Sequence, residues 1–144
     1  MPIEYRFAST KDKALFNQVD EDVFDEAISA VSLHQFLTDE RHHIVVAIDE
    51  GHIVGFVSAV DYFHPDKPHE LWLNEVGVAA TWRQHGIASR LLTMMFDHGR
   101  SLGCQEAWVL TEPDNLAANR LYRSVAEAAE TSPMTTVVHR FRLS

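Results

Sequence analysis

Cysteine is nearly absent: Cys104 stands alone among 144 residues. No disulfide can form within the chain, and a reducing compartment fits best. Long apolar runs are also missing, and none approaches the roughly 18 residues that span a bilayer. The start, Met1-Pro2-Ile3-Glu4-Tyr5-Arg6, lacks the layout of a secretory signal. A cytoplasmic protein with no membrane contact is expected. Basic residues are few, 12 Lys and Arg against 21 Asp and Glu, for a formal net charge of -9. Phosphate backbones need a basic surface, so this balance argues against nucleic acid as a partner. It fits a cationic ligand drawn by long-range attraction, and it fits plain solubility equally. Neither Gly-x-x-x-x-Gly-Lys-Ser/Thr nor Gly-x-Gly-x-x-Gly occurs, which removes two common phosphate loops. The nine histidines show neither the helical i, i+4 spacing nor the Cys partners of a zinc site, so no metal is expected.

What is present is a chain of one-domain length, residues 1–144, with ordinary hydrophobic content, 46%. Ile3 to Ala8 reads as a strand. Thr10 is a candidate N-cap for a helix from Lys11 to Val19, with Ala14, Leu15 and Val19 on one side. A second helix is expected over Glu26 to Asp39, with Ile28, Val31, Phe36 and Leu37 apolar. Ile44–Ile48 and Ile53–Tyr62 read as a hairpin around Gly51. Pro65 and Pro68 mark His64–His69 as a loop, and Glu70–Ala79 as the next strand. A helix from Gly86 to Leu102 carries Leu91, Leu92, Met95 and Phe96 and stops at Gly103. Cys104–Thr111 reads as a strand, Asn115–Ala129 as a helix and Thr135–Leu143 as a closing strand. The order is β-α-α-β-β-β-α-β-α-β, a mixed α+β fold with a mostly antiparallel sheet and one β-α-β crossover that adds parallel pairing.

One loop carries chemistry. Arg83-Gln84-His85-Gly86-Ile87-Ala88-Ser89 follows a strand and opens a helix. Amides at a helix N-terminus, with the helix dipole, suit an anion, and Gly86 and Ala88 are small enough for close approach. A packing glycine in a surface loop would give the same spacing.

The pattern Arg83-x-x-Gly86-x-Ala88, after Val76-Gly77-Val78 and before Leu91-Leu92, resembles the first signature of the GCN5-related N-acetyltransferase family. Asn115-x-x-Ala118-x-x-Leu121-Tyr122 is similar to its second. The element order matches that family across most of the chain. Leu73 through Ala88 looks more narrowly like the aminoglycoside 3-N-acetyltransferase branch, which would imply antibiotic resistance. The chain departs from the family after Tyr122, where Val125-Ala126-Glu127-Ala128-Ala129-Glu130 prefers helix.

The resemblance implies an acetyl-CoA-dependent enzyme that transfers acetyl directly to a small-molecule amine, without an acyl-enzyme. The cofactor would lie where strands 70–79 and 104–111 splay apart, held by Val76, Val78, residues Arg83 to Ser89 and Asn115. Glu75 is the candidate base, or a surface glutamate in an ion pair. Strand alternation puts it on the face of Gly77, opposite Asn74 and Val76, unless a bulge intervenes. The Val78 amide is the candidate oxyanion donor. Tyr122 is the candidate proton donor to the departing thiolate, or a core tyrosine, and Asn115 bonds the cofactor or caps its helix. Asp22, Asp25, Asp61 and Glu70 are candidate acceptor contacts for an aminoglycoside, with His64 and His69 near them. Trp72, Trp82 and Trp108 read as packing, and Cys104 as buried. A polyamine or protein acetyltransferase, or a CoA-binding regulatory module, would share these features. The resemblance also allows a homodimer.

Overall fold

The computed structural model describes residues 2–125 and 136–144. They fall into two compact units, 1–110 and 111–144. The first unit is a five-stranded sheet in the order β1-β2-β3-β4-β5. Its strands are β1 (Glu4–Phe7), β2 (His42–Asp49), β3 (His52–His64), β4 (Lys67–Val78) and β5 (Glu106–Trp108). Pairing is antiparallel except between β4 and β5. Helix α1 (Ala30–Thr38), two 3-10 helices (Thr10–Asn17 and Ala80–Trp82) and helix α2 (Ile87–Ser101) also belong to this unit. The second unit contains helix α3 (Leu116–Val125).

The two sheet faces have separate cores. Ile44, Val46, Ile48 and Phe56 pack with Phe16, Val23 and Ala79, covered by Phe24, Ile28, Leu33, Phe36 and Leu37. On the other face α2 buries Leu91, Leu92 and Met95 completely. Its closeness to the sheet is set by two glycines. A Cβ at Gly99 would meet Leu71 at 2.9 Å, and one at Gly55 would meet Ile87 at 3.1 Å. Gly103, at φ 89°, ends α2 as expected. Its N–H reaches Arg100 O and the Cys104 N–H reaches Gly99 O, at 3.1 and 3.0 Å, the paired bonds of a Schellman motif.

Several expected boundaries move. The first helix is 3-10, and its cap is Ser9, not Thr10. Ser9 N–H donates to Asp12 at 2.8 Å, closing a capping box. Phe16, rather than Ala14, is its buried apolar residue. The second helix starts at Ala30, because Ser29 turns extended and accepts from the Ser32 N–H. Val31 points outward, 79% exposed. The expected 64–69 loop shrinks to a turn at Pro65-Asp66. Pro68 is tolerated in β4 because the register shifts there between Tyr62 and His64, so its missing N–H breaks no ladder. β5 is shorter than the expected 104–111 strand.

The expected closing strand is absent from residues 136–143, which have no regular structure. Val137, Val138, Phe141 and Leu143 are 75–95% exposed. β-branched residues favour a strand only where a neighbour supplies ladder bonds and packing. Thr135 and the helix expected beyond Val125 lie outside the described residues. No helix among the described residues is long and apolar enough to cross a membrane.

Candidate active site

β4 carries an extra residue. Ser58 pairs with Glu75 and Ala59 with Leu73, so Asn74 is a bulge. Before the bulge Leu71 and Leu73 point towards α2; after it, Glu75 and Gly77 pair with Ser58 and Phe56 and face the other core. Glu75 shares its face with Gly77, as alternation requires, but the bulge turns both away from the face of Leu73.

The chain segment over that face is clamped onto Gly77. A Cβ there would lie 2.1 Å from the Val23 carbonyl oxygen, a contact only glycine permits. Phe24 stacks on Phe56 at 4.0 Å. This clamp brings Asp25 and Glu26 to Glu75. Partial burial, followed by repulsion from Asp25 and Glu26, raises the Glu75 carboxyl above the ordinary glutamate range. An exposed carboxyl with a raised pKa is a competent proton acceptor near neutral pH.

Among the described residues β4 also has an edge left unpaired beyond Trp72. β5 pairs only with Glu70, Leu71 and Trp72, and β4 runs on to Val78. The Ala79 N–H bonds Val54 O at 2.9 Å. Ladder bonds alternate along an antiparallel pair, so Val78 and Val76 direct their N–H and C=O away from β3, towards the unpaired edge. The Arg83 Nε–H donates to the Val78 carbonyl at 3.3 Å, consistent with that direction.

The strand leads into the loop. Arg83 N–H reaches Ala80 O at 3.4 Å, and Arg90 N–H reaches Gly86 O at 3.1 Å. Between them, the amides of Gln84, His85, Gly86, Ile87, Ala88 and Ser89 have no intramolecular acceptor among the described residues. Gln84 and Gly86 both adopt positive φ, 63° and 77°, which curls the loop into a nest of N–H groups at the α2 N-terminus. Nothing lies within 4 Å of a Cβ position at Gly86, so a ligand has room. The His85 ring folds back on the Trp82 and Arg83 carbonyls, Ile87 is buried beneath the loop, and Arg90 lies over the Tyr5 ring. The groups free to meet an anion here are backbone amides, with Arg83 beside them.

The remaining candidates separate. Glu70 lies on the Glu75 face and accepts from Tyr62 OH at 2.9 Å. Asp22 belongs to the clamped segment, at φ 64°. Asp61 does not join them. It pairs with Leu71 on the α2 face and is buried between two histidines. The Nε2–H groups of His43 and His69 donate to its two oxygens at 2.5 and 2.6 Å. His98 Nε2 lies 3.0 Å from His43 Nδ1, within hydrogen-bond distance. His69 thus belongs to this buried network rather than to the Glu75 face. Among the described residues no three such side chains are arranged to hold a metal ion. Glu26 was not singled out from the sequence; the acidic run continuing past Phe24 is the signal that pointed to it.

In the second unit Asn115 caps α3, its Oδ1 accepting the Ala118 N–H at 3.1 Å. Tyr122 is half-buried on α3, and burial raises its phenol above the ordinary value.

An L-2,4-diaminobutyric acid acetyltransferase of Virgibacillus pantothenticus is 30% identical over 87 residues, 60% of this chain and 54% of that protein. The chain spans about half the length of the curated relatives it matches. Among solved structures, an aminoglycoside acetyltransferase from an uncultured soil metagenomic sample, in complex with trehalose, superposes with TM-score 0.82 at 18% identity, over 96% of each chain. The aminoglycoside enzyme AAC(6')-Iy, in complex with a bisubstrate analogue, does so with TM-score 0.78 at 18% identity, over 97% of this chain and 99% of that one. The model of the acetyltransferase (GNAT) family matches residues 8–126, and the chain belongs to that family.

Proposed function

We propose that this chain is an acetyl-CoA-dependent N-acetyltransferase acting on a primary amine of a small cationic molecule. The observation that carries the reading is continuous along β4. A carboxylate with raised pKa, two outward-facing backbone positions on a bare strand edge, and a loop of six unpaired amides follow one another from Glu75 to Ser89. Each fits one part of acetyl-CoA or its acceptor. The nest of amides from Gln84 to Ser89, with Arg83, suits a pyrophosphate. The edge at Val76 and Val78 suits an extended amide arm, which would pair as a strand does. When bound, the thioester supplies the acyl group.

The protein's part is positional and acid–base. An alkylammonium has no lone pair, so Glu75 takes the proton, directly or through water, before the nitrogen attacks. The Val78 N–H is offered to the thioester oxygen as its charge grows. Tyr122 keeps its proton at neutral pH, because burial raises it further above 10, and is the proposed donor to the departing thiolate. No side chain needs to carry the acetyl group.

Asp25, Glu26, Glu75 and Glu70, with Asp22 nearby in sequence, make the acceptor face acidic. This supports a polycationic acceptor, of which an aminoglycoside is an example, as the names of the similar structures suggest. The names of the sequence relatives support a second acceptor, L-2,4-diaminobutyrate. Its carboxylate would meet the same acidic groups unfavourably. The test is thiol release from acetyl-CoA with a panel of aminoglycosides, linear polyamines, diaminobutyrate and peptide amines. Release with polycations and little with diaminobutyrate is expected. The reverse preference would overturn the acceptor assignment. Tight CoA binding with no release for any amine would leave a CoA-binding module and overturn the enzyme reading.

The cofactor site has its own test. Gly86→Asp places a carboxylate in the amide nest. Aspartate tolerates positive φ better than most residues, and nothing crowds this Cβ, so folding should survive. A like charge about 5 Å from a phosphate costs about 3 kcal/mol at an effective dielectric of 20. The dissociation constant for CoA should rise roughly 100-fold by calorimetry. An unchanged value would place the pyrophosphate elsewhere.

A further inference from the structure

On the face that carries Glu75, two indoles are stacked in a way that packing alone does not require. Trp72 and Trp108 lie with ring centroids 5.2 Å apart and planes within 2° of parallel. They sit opposite each other across the parallel β4–β5 pair, where the two strands are about to part. Trp72 remains 37% exposed, although an indole on a sheet face normally buries itself. Trp108 is held by a polar chain. Its Nε1–H donates to Tyr62 OH at 2.5 Å, and that hydroxyl donates to Glu70 at 2.9 Å. A hydrogen-bonded chain of this kind stiffens each member. The indole stack is therefore pre-oriented while one surface faces solvent.

Its position relative to Glu75 is fixed by register. Trp72 pairs with Val60, Glu70 with Tyr62, Glu75 with Ser58 and Gly77 with Phe56. Alternate residues of β3 share a face, so all four β4 side-chain positions lie on one surface. Trp72 and Glu75 are three residues apart along β4, at most roughly 10 Å between Cα atoms. A molecule with its reacting nitrogen at Glu75 and a body one ring long would lie over Trp72. Carboxylates stand on both sides, Glu70 towards one end and Asp25 and Glu26 towards the other.

We propose that the Trp72–Trp108 stack is a specificity-determining platform that receives a saturated, amine-bearing ring of the acceptor, an amino sugar, while its ammonium substituents meet Glu70, Asp25 and Glu26. This rests on the reading of Glu75 as the base facing the acceptor. The C–H face of such a ring is apolar and weakly positive, which matches the negative face of an indole. A linear polyamine carries the same charge but no ring face, so the platform discriminates between the two where the carboxylates cannot.

The test compares neamine with spermine, a linear amine with the same number of amino groups. Binding is measured by calorimetry and turnover by thiol release, for the wild type, Trp72→Ala and Trp72→Phe. Trp72→Ala should weaken neamine binding and raise its KM about 10-fold, with kcat and the spermine values unchanged. Trp72→Phe should recover most of the loss. Thermal unfolding monitors the fold of each variant, and Trp72→Leu, which keeps apolar bulk but has no ring face, decides the matter if the alanine variant unfolds: it should show the same neamine-specific loss. Equal losses for both amines, no loss for neamine, or no neamine binding to the wild type would overturn the platform. Neamine binding that depends on Trp72 without any turnover would uphold the platform and overturn the enzyme reading.

Discussion

Glu75→Gln lowers kcat/KM for amine acetylation at pH 7 by roughly 10²- to 10⁴-fold, the usual range for loss of a general base. The amide keeps the size of the side chain and cannot accept the proton. CoA affinity should not change, because the amide nest begins at Gln84. Stability should not fall either. Glu75 is exposed, and its charge is repelled by Asp25 and Glu26. A carboxyl whose folded pKa is raised favours the fold most below the unfolded value, near 4.3, and that advantage is lost as pH rises through the folded value. Neutralising it removes a repulsion present at pH 7. The pH profile gives the signature. Wild-type activity should have an acidic limb above the ordinary glutamate range. In the variant that limb should vanish, leaving a rise towards alkaline pH as free amine accumulates. A full wild-type rate with the limb intact would remove Glu75 from the mechanism.

Asp61→Ala acts on stability instead, by about 3 kcal/mol. It deletes two hydrogen bonds to a buried charge, each contributing roughly 1.5–3 kcal/mol, and the two histidines recover part of that by changing partners. Burial alone would raise Asp61, but the hydrogen bonds and charges of His43 and His69 outweigh it and hold the carboxyl below its usual value. Stability from such a group is present above the unfolded pKa near 3.9 and is lost as pH falls through the lower folded value. His98 is also lowered, by burial and then by His43, against the pull of Asp61. Its contribution is full above the unfolded value near 6.5 and declines as pH falls from there through the depressed folded value. Acid unfolding should therefore begin below pH 6.5, well before the carboxylates titrate. Denaturant titrations at several pH values check both points, and a His98→Gln variant should lose the first decline. Flat stability from pH 7 to pH 5 would mean that His98 does not titrate as its surroundings require. Because Asp61 faces α2 rather than Glu75, turnover of the folded Asp61→Ala fraction should remain close to wild type.

Asp61 also shows where sequence reasoning stops. Its place beside a candidate loop made it a natural acceptor contact. Only the pairing of Asp61 with Leu71 on the α2 face shows that it looks the other way. The bulge at Asn74 is the same kind of fact. An extra residue in a strand leaves no mark in a pattern of apolar and polar positions, yet it decides which face Glu75 serves. Local signals were legible. Gly103 stops α2, and the loop from Arg83 opens it, because positive φ and helix-terminal amides are properties of a few adjacent residues. Long-range ones were not. The Val23 carbonyl against Gly77, which brings Asp25 and Glu26 to the base, joins residues 54 positions apart. Trp72 and Trp108 read singly as packing, and became a candidate subsite once the β4–β5 register set them side by side. Residues 136–143 show the converse: strand-forming side chains without a strand.

The most direct test of the account is a single-turnover experiment with isotopically labelled acetyl-CoA and a polycationic amine. The label should pass to one acceptor nitrogen in step with thiol release, with none on the protein at any time, and Glu75→Gln should slow that passage without altering CoA binding. Label accumulating on the protein before it reaches the amine, or thiol release that leaves every amine unlabelled, would contradict direct transfer governed by Glu75.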